Sequence, residues 1–371
     1  MNAAALTLVD AAPHWRRHLL HGARTIEALV ARGLVTAEQA PALQAVTDRY
    51  EMLVSDYYLS LIDPADPDCP IRKQALPDVA ELHARPDERA DPIGDDPHRR
   101  AGIVVHRYPD RALLFPTLRC PMFCRYCFRK VALNDEPVRL GAQLGAALAY
   151  LRATPAIEEV ILSGGDPLML SNERLAALLG ALRDVPSIRR LRIHSRFPVT
   201  LPMRVDAALA AVLASARPLY LVTHFNHPRE LTPEAGHAIG LLVEAGVTVL
   251  NQTVLLRGVN ADRTVLAALF TGLLDWQVRP YYLHHPDLTV GTQHFRVSLD
   301  EGLAIAAALR GSVTGLACPT YVIDIPGGGG KVPVDSAFVR RGDRPGEWWL
   351  QSPIDGCITA YVDPAVLPDK R

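Results

Sequence analysis

The stretch Arg119 to Lys130 reads RCPMFCRYCFRK and spaces Cys120, Cys124 and Cys127 as C-x3-C-x2-C. Three thiolates this close can hold three irons of a cubane [4Fe–4S] cluster, and no fourth cysteine nearby completes the usual set of four. One iron is then open to a chelating small molecule. A three-cysteine zinc knot would again want a fourth ligand. The strand-like run Ala112 to Pro116 lies just ahead of the cysteines, so the loop sits just beyond the carboxyl end of a strand.

Outward from that loop, short apolar or β-branched runs alternate with amphipathic helical stretches. The expected strands are Ala112 to Pro116, Glu159 to Ser163, Leu191 to Ser195, Leu219 to Thr223, Val247 to Val254 and Val278 to Leu283. Between them the helical stretches are Arg139 to Arg152, Asn172 to Arg183, Pro233 to Glu244 and Ala261 to Leu274. Such alternation predicts parallel strands joined by right-handed crossovers, an α/β fold of the partial (β/α)6 barrel kind, with chemistry at the carboxyl ends of the strands. A further strand-like run, Thr320 to Ile325, leads into Pro326 and four glycines.

Residues 1–100 read as a helical extension followed by a wrap, residues 101–315 as the barrel, and residues 316–371 as a lysine-bearing segment with a short tail. Thr36 and Gln39 form a capping-box pattern that predicts a long helix from Ala37 through Tyr58. The proline-bearing stretch Asp63 to Pro70 ends it. Pro86 to Arg100 reads as a charged surface wrap, and the last stretch of chain as irregular, with Trp348 and Trp349 as docking anchors.

Hydrophobic residues make up 49% of the 371 residues and the formal net charge is −1, which gives neither a basic footprint for nucleic acid nor a disordered composition. No run approaches the roughly 20 uncharged residues a membrane span needs, and the N-terminus lacks signal-peptide order, so the expected location is the cytoplasm. Outside the cysteine loop, Cys69, Cys318 and Cys357 are scattered and do not suggest a disulfide framework.

Three further stretches carry chemistry. In Ser163-Gly164-Gly165-Asp166-Pro167, two glycines let backbone approach a ligand and the aspartate can accept from an ammonium; a GGD is also a common tight turn. In Asp324-Ile-Pro-Gly-Gly-Gly-Gly-Lys331, the glycines suggest something bulky against bare backbone, and a lysine in a pocket can condense with an aldehyde such as pyridoxal 5′-phosphate (PLP); a glycine linker with a solvated lysine has the same pattern. Arg107, Arg111 and Arg196 offer forks for phosphate or equally for ion pairs, and Gln252 lies on a strand that can face the same cavity.

Taken in order, YYLSLIDPADPDCPIRKQALP from Tyr57, HRYPDR from His106, the cysteine loop, SGGDPL, HSRFPV, THFNHP, NQTVLLRGVN, RPYYLHHPDL and DIPGGGGK resemble the lysine 2,3-aminomutase family, radical S-adenosylmethionine (SAM) enzymes that also bind PLP. The resemblance implies that Cys120, Cys124 and Cys127 hold the cluster and that Gly164, Gly165, Asp166 and His224 contact SAM, although His224 can equally be a structural histidine. It implies that Lys331 carries PLP, that Arg107, Tyr108, Arg111 and Arg196 surround its phosphate, and that Gln252 is near it. Arg129 falls on the substrate α-carboxylate, and Asp287 and Asp324 fall where lysine-using members hold the distal ammonium.

Two carboxylates in a water-poor cavity are costly without a cation between them, so the pair favours L-lysine over glutamate and leaves arginine or another cationic amino acid open. The implied reaction interconverts L-lysine and β-lysine; the nearest rival is the family's enzyme that makes β-lysine for a translation elongation factor. Expected partners are the amino acid, an electron donor such as flavodoxin or ferredoxin, and further copies of the chain, with no nucleic acid and no membrane. Two departures stand out. Asp262 occupies the place of one cysteine of a zinc-binding set, so no structural zinc is expected, and His284, His285 and Pro286 replace the more usual residues before Asp287.

Overall fold

A computed structural model describes residues 14–132, 140–334, 338–352 and 355–364. Its main sheet has ten strands in sequence order: β1 (Arg99–Arg100), β2 (Val104–Tyr108), β3 (Arg111–Thr117), β4 (Glu159–Gly164), β5 (Arg190–His194), β6 (Leu219–Thr223), β7 (Thr248–Val254), β8 (Arg279–His284), β9 (Thr320–Asp324) and β10 (Lys331–Pro333). Strands β3 through β9 run parallel, as the alternation predicts, and antiparallel strands flank them at both edges. The two edges are joined by a side chain: the Tyr108 hydroxyl on β2 accepts from the Lys331 amide on β10 at 2.7 Å.

The crossover helix after β4 forms where a side-chain cap meets an apolar stripe. In Asn172–Arg183, Ser171 accepts from the Arg174 amide, and Leu175, Leu178, Leu179 and Leu182 are buried at helical spacing. They share one core with Val160, Leu162, Leu191 and Ile193, the alternate residues of β4 and β5. Full burial of each leucine contributes roughly 1.5–3 kcal/mol. The opposite face of the strands carries Phe115, Ser163, His194, Gln252, Tyr282, His284 and Asp324, so strand alternation itself sends polar groups inward.

Several sequence expectations change. The helix beginning at Arg139 begins at Leu140 among the described residues, Arg139 lying outside them. The Thr36–Gln39 capping bonds form, yet they close only a turn; the helix runs Ala40–Arg49, and Ser55 caps a separate helix, Asp56–Ser60. The tail is ordered where described: β11 (Val339–Arg341), β12 (Glu347–Gln351) and β13 (Ile358–Val362) make an antiparallel sheet. Trp348 is buried and donates to Asp363, whereas Trp349 is 37% exposed, so only the first anchors it. His285 ties this sheet to the barrel, its ring nitrogens meeting the hydroxyls of Tyr321 at 2.7 Å and Tyr361 at 2.6 Å. Asp262 caps the helix Arg263–Asp275 through the amides of Thr264 and Val265. Among the described residues no helix is long and apolar enough to cross a membrane.

Candidate active site

Lys331 opens β10 and lies directly opposite Asp324 in the antiparallel pair β9–β10. That register puts both side chains on one face, and the ammonium meets the Asp324 carboxylate. His284, at the end of β8, completes the group with Nδ1 3.1 Å from Lys331 Nζ. Burial opposes ionisation of Asp324, but Lys331 and the His284 hydrogen bond outweigh it and hold the carboxyl well below the usual range. Burial, then the Lys331 charge, brings His284 down to about 4, so its ring is neutral. Asp287 is pushed up to about 8 by burial and by its neighbour Asp324, against the pull of Lys331, Arg129 and Arg107. At neutral pH this carboxyl keeps its proton.

The glycine run is the turn between β9 and β10. What lies against its bare backbone is the protein's own wrap. A Cβ on Gly94 would come within 2.7 Å of Gly327 backbone atoms, and one on Gly328 within 2.7 Å of His98. The Gly327 amide donates to the Pro92 carbonyl at 3.0 Å. Pro86 to Arg100 is therefore more than a surface wrap, since it buries Ile93 and Asp95 against the site.

Asp95 was not singled out by sequence. Its carboxylate receives Arg107 at 3.0 Å on one oxygen and Arg129 at 2.9 Å on the other. Arg129 also reaches Ser163 Oγ at 3.4 Å and stacks over Phe115 and Phe128. Arg111 lies 3.7 Å over the Tyr108 ring, the same tyrosine that holds the Lys331 amide. The structure thus gathers Arg107, Arg111 and Arg129 around Asp95 and Tyr108, next to the start of β10 where Lys331 stands. Gln252 pairs in register with Tyr282, whose ring lies 5.5 Å from Lys331 Nζ.

The cysteine loop is held from both sides by backbone. Phe123 donates to the Leu53 carbonyl and Arg125 to the Gln74 carbonyl, both from the N-terminal extension. Gly165 and Asp166 donate to the carbonyls of Thr117 and Arg119 at 2.8 Å each, and a Cβ on Gly165 would strike Arg119 and Leu118. Asp166 accepts from Leu168, Ser195 and the Arg196 amide, and burial still lifts it to about 6. Its carboxylate locks the ends of β4 and β5 together. Burial pushes the Cys127 thiol up to about 11 and holds Cys120 well above its ordinary range, with Asp166 and the neighbouring sulfurs adding to the effect. Three thiols whose charges repel in a dry site suit a cation that neutralises them.

Arg196, expected around the cofactor phosphate, is set on this loop instead, with Nη1 2.9 Å from Cys124 Sγ. His224 faces Tyr126 edge-on at 5.6 Å, and its buried Nε2 has no partner. Nε2 of His194 and of His284 are also buried and unpartnered, which leaves polar acceptors or donors on the inner face for a polar guest. His194 was also missed in the sequence. A cavity of about 790 Å³ opens behind the loop, lined by Arg24, Glu27, Arg119, Cys120 and Met169; none of the Lys331 group lines it.

Two family profiles match separate stretches of the chain. The Radical SAM superfamily profile matches residues 114–270, and the Lysine-2,3-aminomutase profile matches residues 306–370. L-lysine 2,3-aminomutase of Acetoanaerobium sticklandii is 39% identical over 94% of this chain and 84% of its own length. That of Fusobacterium nucleatum is 40% identical over 89% and 77%, and glutamate 2,3-aminomutase of Clostridioides difficile is 37% identical over 81% and 71%.

Proposed function

Since this chain belongs to the lysine 2,3-aminomutase family of radical SAM enzymes, we propose that it moves the amino group of L-lysine from C2 to C3, giving β-lysine. Cys120, Cys124 and Cys127 hold the [4Fe–4S] cluster, Gly164, Gly165 and His224 face SAM, and Lys331 holds PLP. When bound, the cluster, reduced by a donor such as flavodoxin or ferredoxin, and SAM supply a carbon radical that takes a hydrogen atom, and PLP supplies the aldehyde that carries nitrogen.

The observation that carries the reading is the group Lys331, Asp324, Asp287 and Arg129. Arg129 stands two residues after Cys127 and shares Asp95 with Arg107 of β2, whose Tyr108 holds the Lys331 amide, so the cysteine loop and the lysine are linked through one cluster of side chains. The Arg129 fork suits an α-carboxylate, which would take the place Asp95 occupies beside it. Asp324 already carries one ammonium, that of Lys331; once Nζ is engaged elsewhere, the carboxylate is free for the cationic tail of the substrate. Asp287 gives up its proton as that cation arrives, because opposite charge restores its ordinary range. A glutamate tail would bring a third carboxylate to the same place. Arg111 and Tyr108 bind phosphate oxygens, and Arg107 joins them from Asp95. The buried inner face excludes water that would quench a radical.

Anaerobic incubation of reconstituted protein with SAM, PLP, dithionite and a panel of amino acids, with products read by mass and chromatography, tests this. Lysine is expected to be isomerised; lysine and arginine both unchanged while another amino acid reacts would overturn the assignment. Lys331→Ala is expected to lose isomerisation and keep slow SAM cleavage, and equal loss of both would give Lys331 a structural role instead.

A further inference from the structure

Every nitrogen of the Arg196 side chain is engaged, and one of them ends on a cysteine of the cluster loop. Nη1 donates to Cys124 Sγ at 2.9 Å; Nη2 donates to Gln74 Oε1 and Glu230 Oε1 at 2.7 Å and to Tyr58 Oη at 3.2 Å; Nε donates to the His224 carbonyl at 3.1 Å. The acceptors are themselves fixed. Tyr58 donates to Glu230, whose second oxygen takes the amides of Asn226 and His227, and Asn226 bonds both Gln74 and Tyr126. Arg196 is 8% exposed and Glu230 is fully buried.

A buried ion pair of this kind adds little to stability compared with apolar side chains of the same volume, so packing does not account for it. Its orientation does. The guanidinium stands at hydrogen-bond distance from the sulfur, while the Glu230 oxygens are turned to Nη2, Tyr58 and backbone amides. Cation and donor are therefore nearer the sulfur than the compensating anion is. Hydrogen bonds to cluster sulfurs and local charge set the potential of an iron–sulfur centre, and a nearby cation in a low-dielectric site favours the form with an added electron.

We infer that Arg196 is a positioning residue for the cluster: through Cys124 it fixes one ligand and makes the centre easier to reduce, with Glu230 setting how strongly. The inference rests on the reading that the three cysteines hold that cluster, which the iron and sulfide content of reconstituted wild-type protein checks first. Wild-type protein without iron sinks that reading; wild-type protein with iron leaves the role of Arg196 to the cluster's redox behaviour.

Redox titration monitored by electron paramagnetic resonance, with dithionite as the one-electron donor and neither SAM nor substrate present, reads the midpoint potential. Arg196→Gln is expected to lower the reduced fraction at a fixed potential about tenfold, equal to about −59 mV for one electron. Glu230→Gln is expected to shift it the opposite way. A midpoint equal to wild type in Arg196→Gln, or shifts of the same sign in both variants, overturns the inference. For a readout that needs no variant to fold, wild-type protein carrying guanidino-15N arginine is expected to give a weak 15N coupling in the pulsed spectrum of the reduced cluster. No such coupling overturns the inference as well.

Discussion

Asp287 is a carboxyl held out of its ordinary range by burial and by a second carboxyl, and this has a measurable sign. With its folded pKa near 8, the native state keeps a proton that the unfolded chain releases near 4, so stability falls as pH rises through that window. In protein free of substrate and PLP, Asp287→Asn is expected to match wild type only at about pH 4 and below, and to gain on it as pH rises from there. It is expected to exceed it above pH 8 by on the order of 1–2 kcal/mol, discounted because the carboxyl is not fully enclosed. Urea unfolding at several pH values checks this, and a gain that does not grow between pH 5 and pH 8 would contradict it. The same variant is expected to bind lysine more weakly, the separation of stability from function typical of a site residue. The cysteines and Lys331 could be singled out in the sequence because chemistry-bearing types fall there in dense motifs, and the two aspartates only through the family resemblance. Asp95 could not, since it is one acid among Asp87, Glu88, Asp91 and Asp96 and only the fold turns it inward onto two arginines. Arg196 was legible as important and misplaced, because an arginine's fork fits phosphate and thiolate alike.

Lys331 owes its place to a hairpin whose turn is pressed against the wrap. Gly94 has a φ of +66° and its absent Cβ leaves room for Gly327, so both backbone conformation and contact exclude a side chain there. Gly94→Ala is expected to cost about 1–3 kcal/mol in chemical denaturation and to weaken PLP binding, since the turn that aims Lys331 must shift. Unchanged stability would mean that the wrap yields freely. The parallel strands and four of the helices between them were readable to within a residue or two because period-2 and period-3.6 patterns alternate, whereas Ala207–Ser215 and Leu299–Arg310 were not named. The first helix was misread. Thr36 and Gln39 satisfied their capping bonds in a turn, and Val54 pairs with Ala23 instead of continuing a helix. Tertiary contact decided both, as it did for the tail sheet docked through His285.

The N-terminal extension is built into the catalytic half of the molecule. It supplies Tyr58, Gln74 and Glu81, and Glu81 meets both Arg125 and Lys130 of the cysteine loop while fully buried. Burial works against the Glu81 charge, but the two cations prevail and hold the carboxyl low, so its contribution is present above the unfolded carboxyl range and lost as pH falls through the lower folded pKa. Glu81→Gln strands two buried cations and is expected to cost about 3–5 kcal/mol near neutral pH, with the deficit shrinking in acid. A loss below about 1 kcal/mol would mean water reaches the loop. The sheet's two ends meet differently from its neighbouring strands. Elsewhere neighbouring strands are stitched by repeated backbone bonds, but between its two edges the phenol of Tyr108 spans the gap to a single amide. Parting that seam forfeits this bond together with the Gly327–Pro92 bond and the packing of Gly94 and His98 on the glycine turn, where parting any other pair would unpick a ladder. The place where the sheet's two ends approach without a ladder thus lies directly beside Lys331.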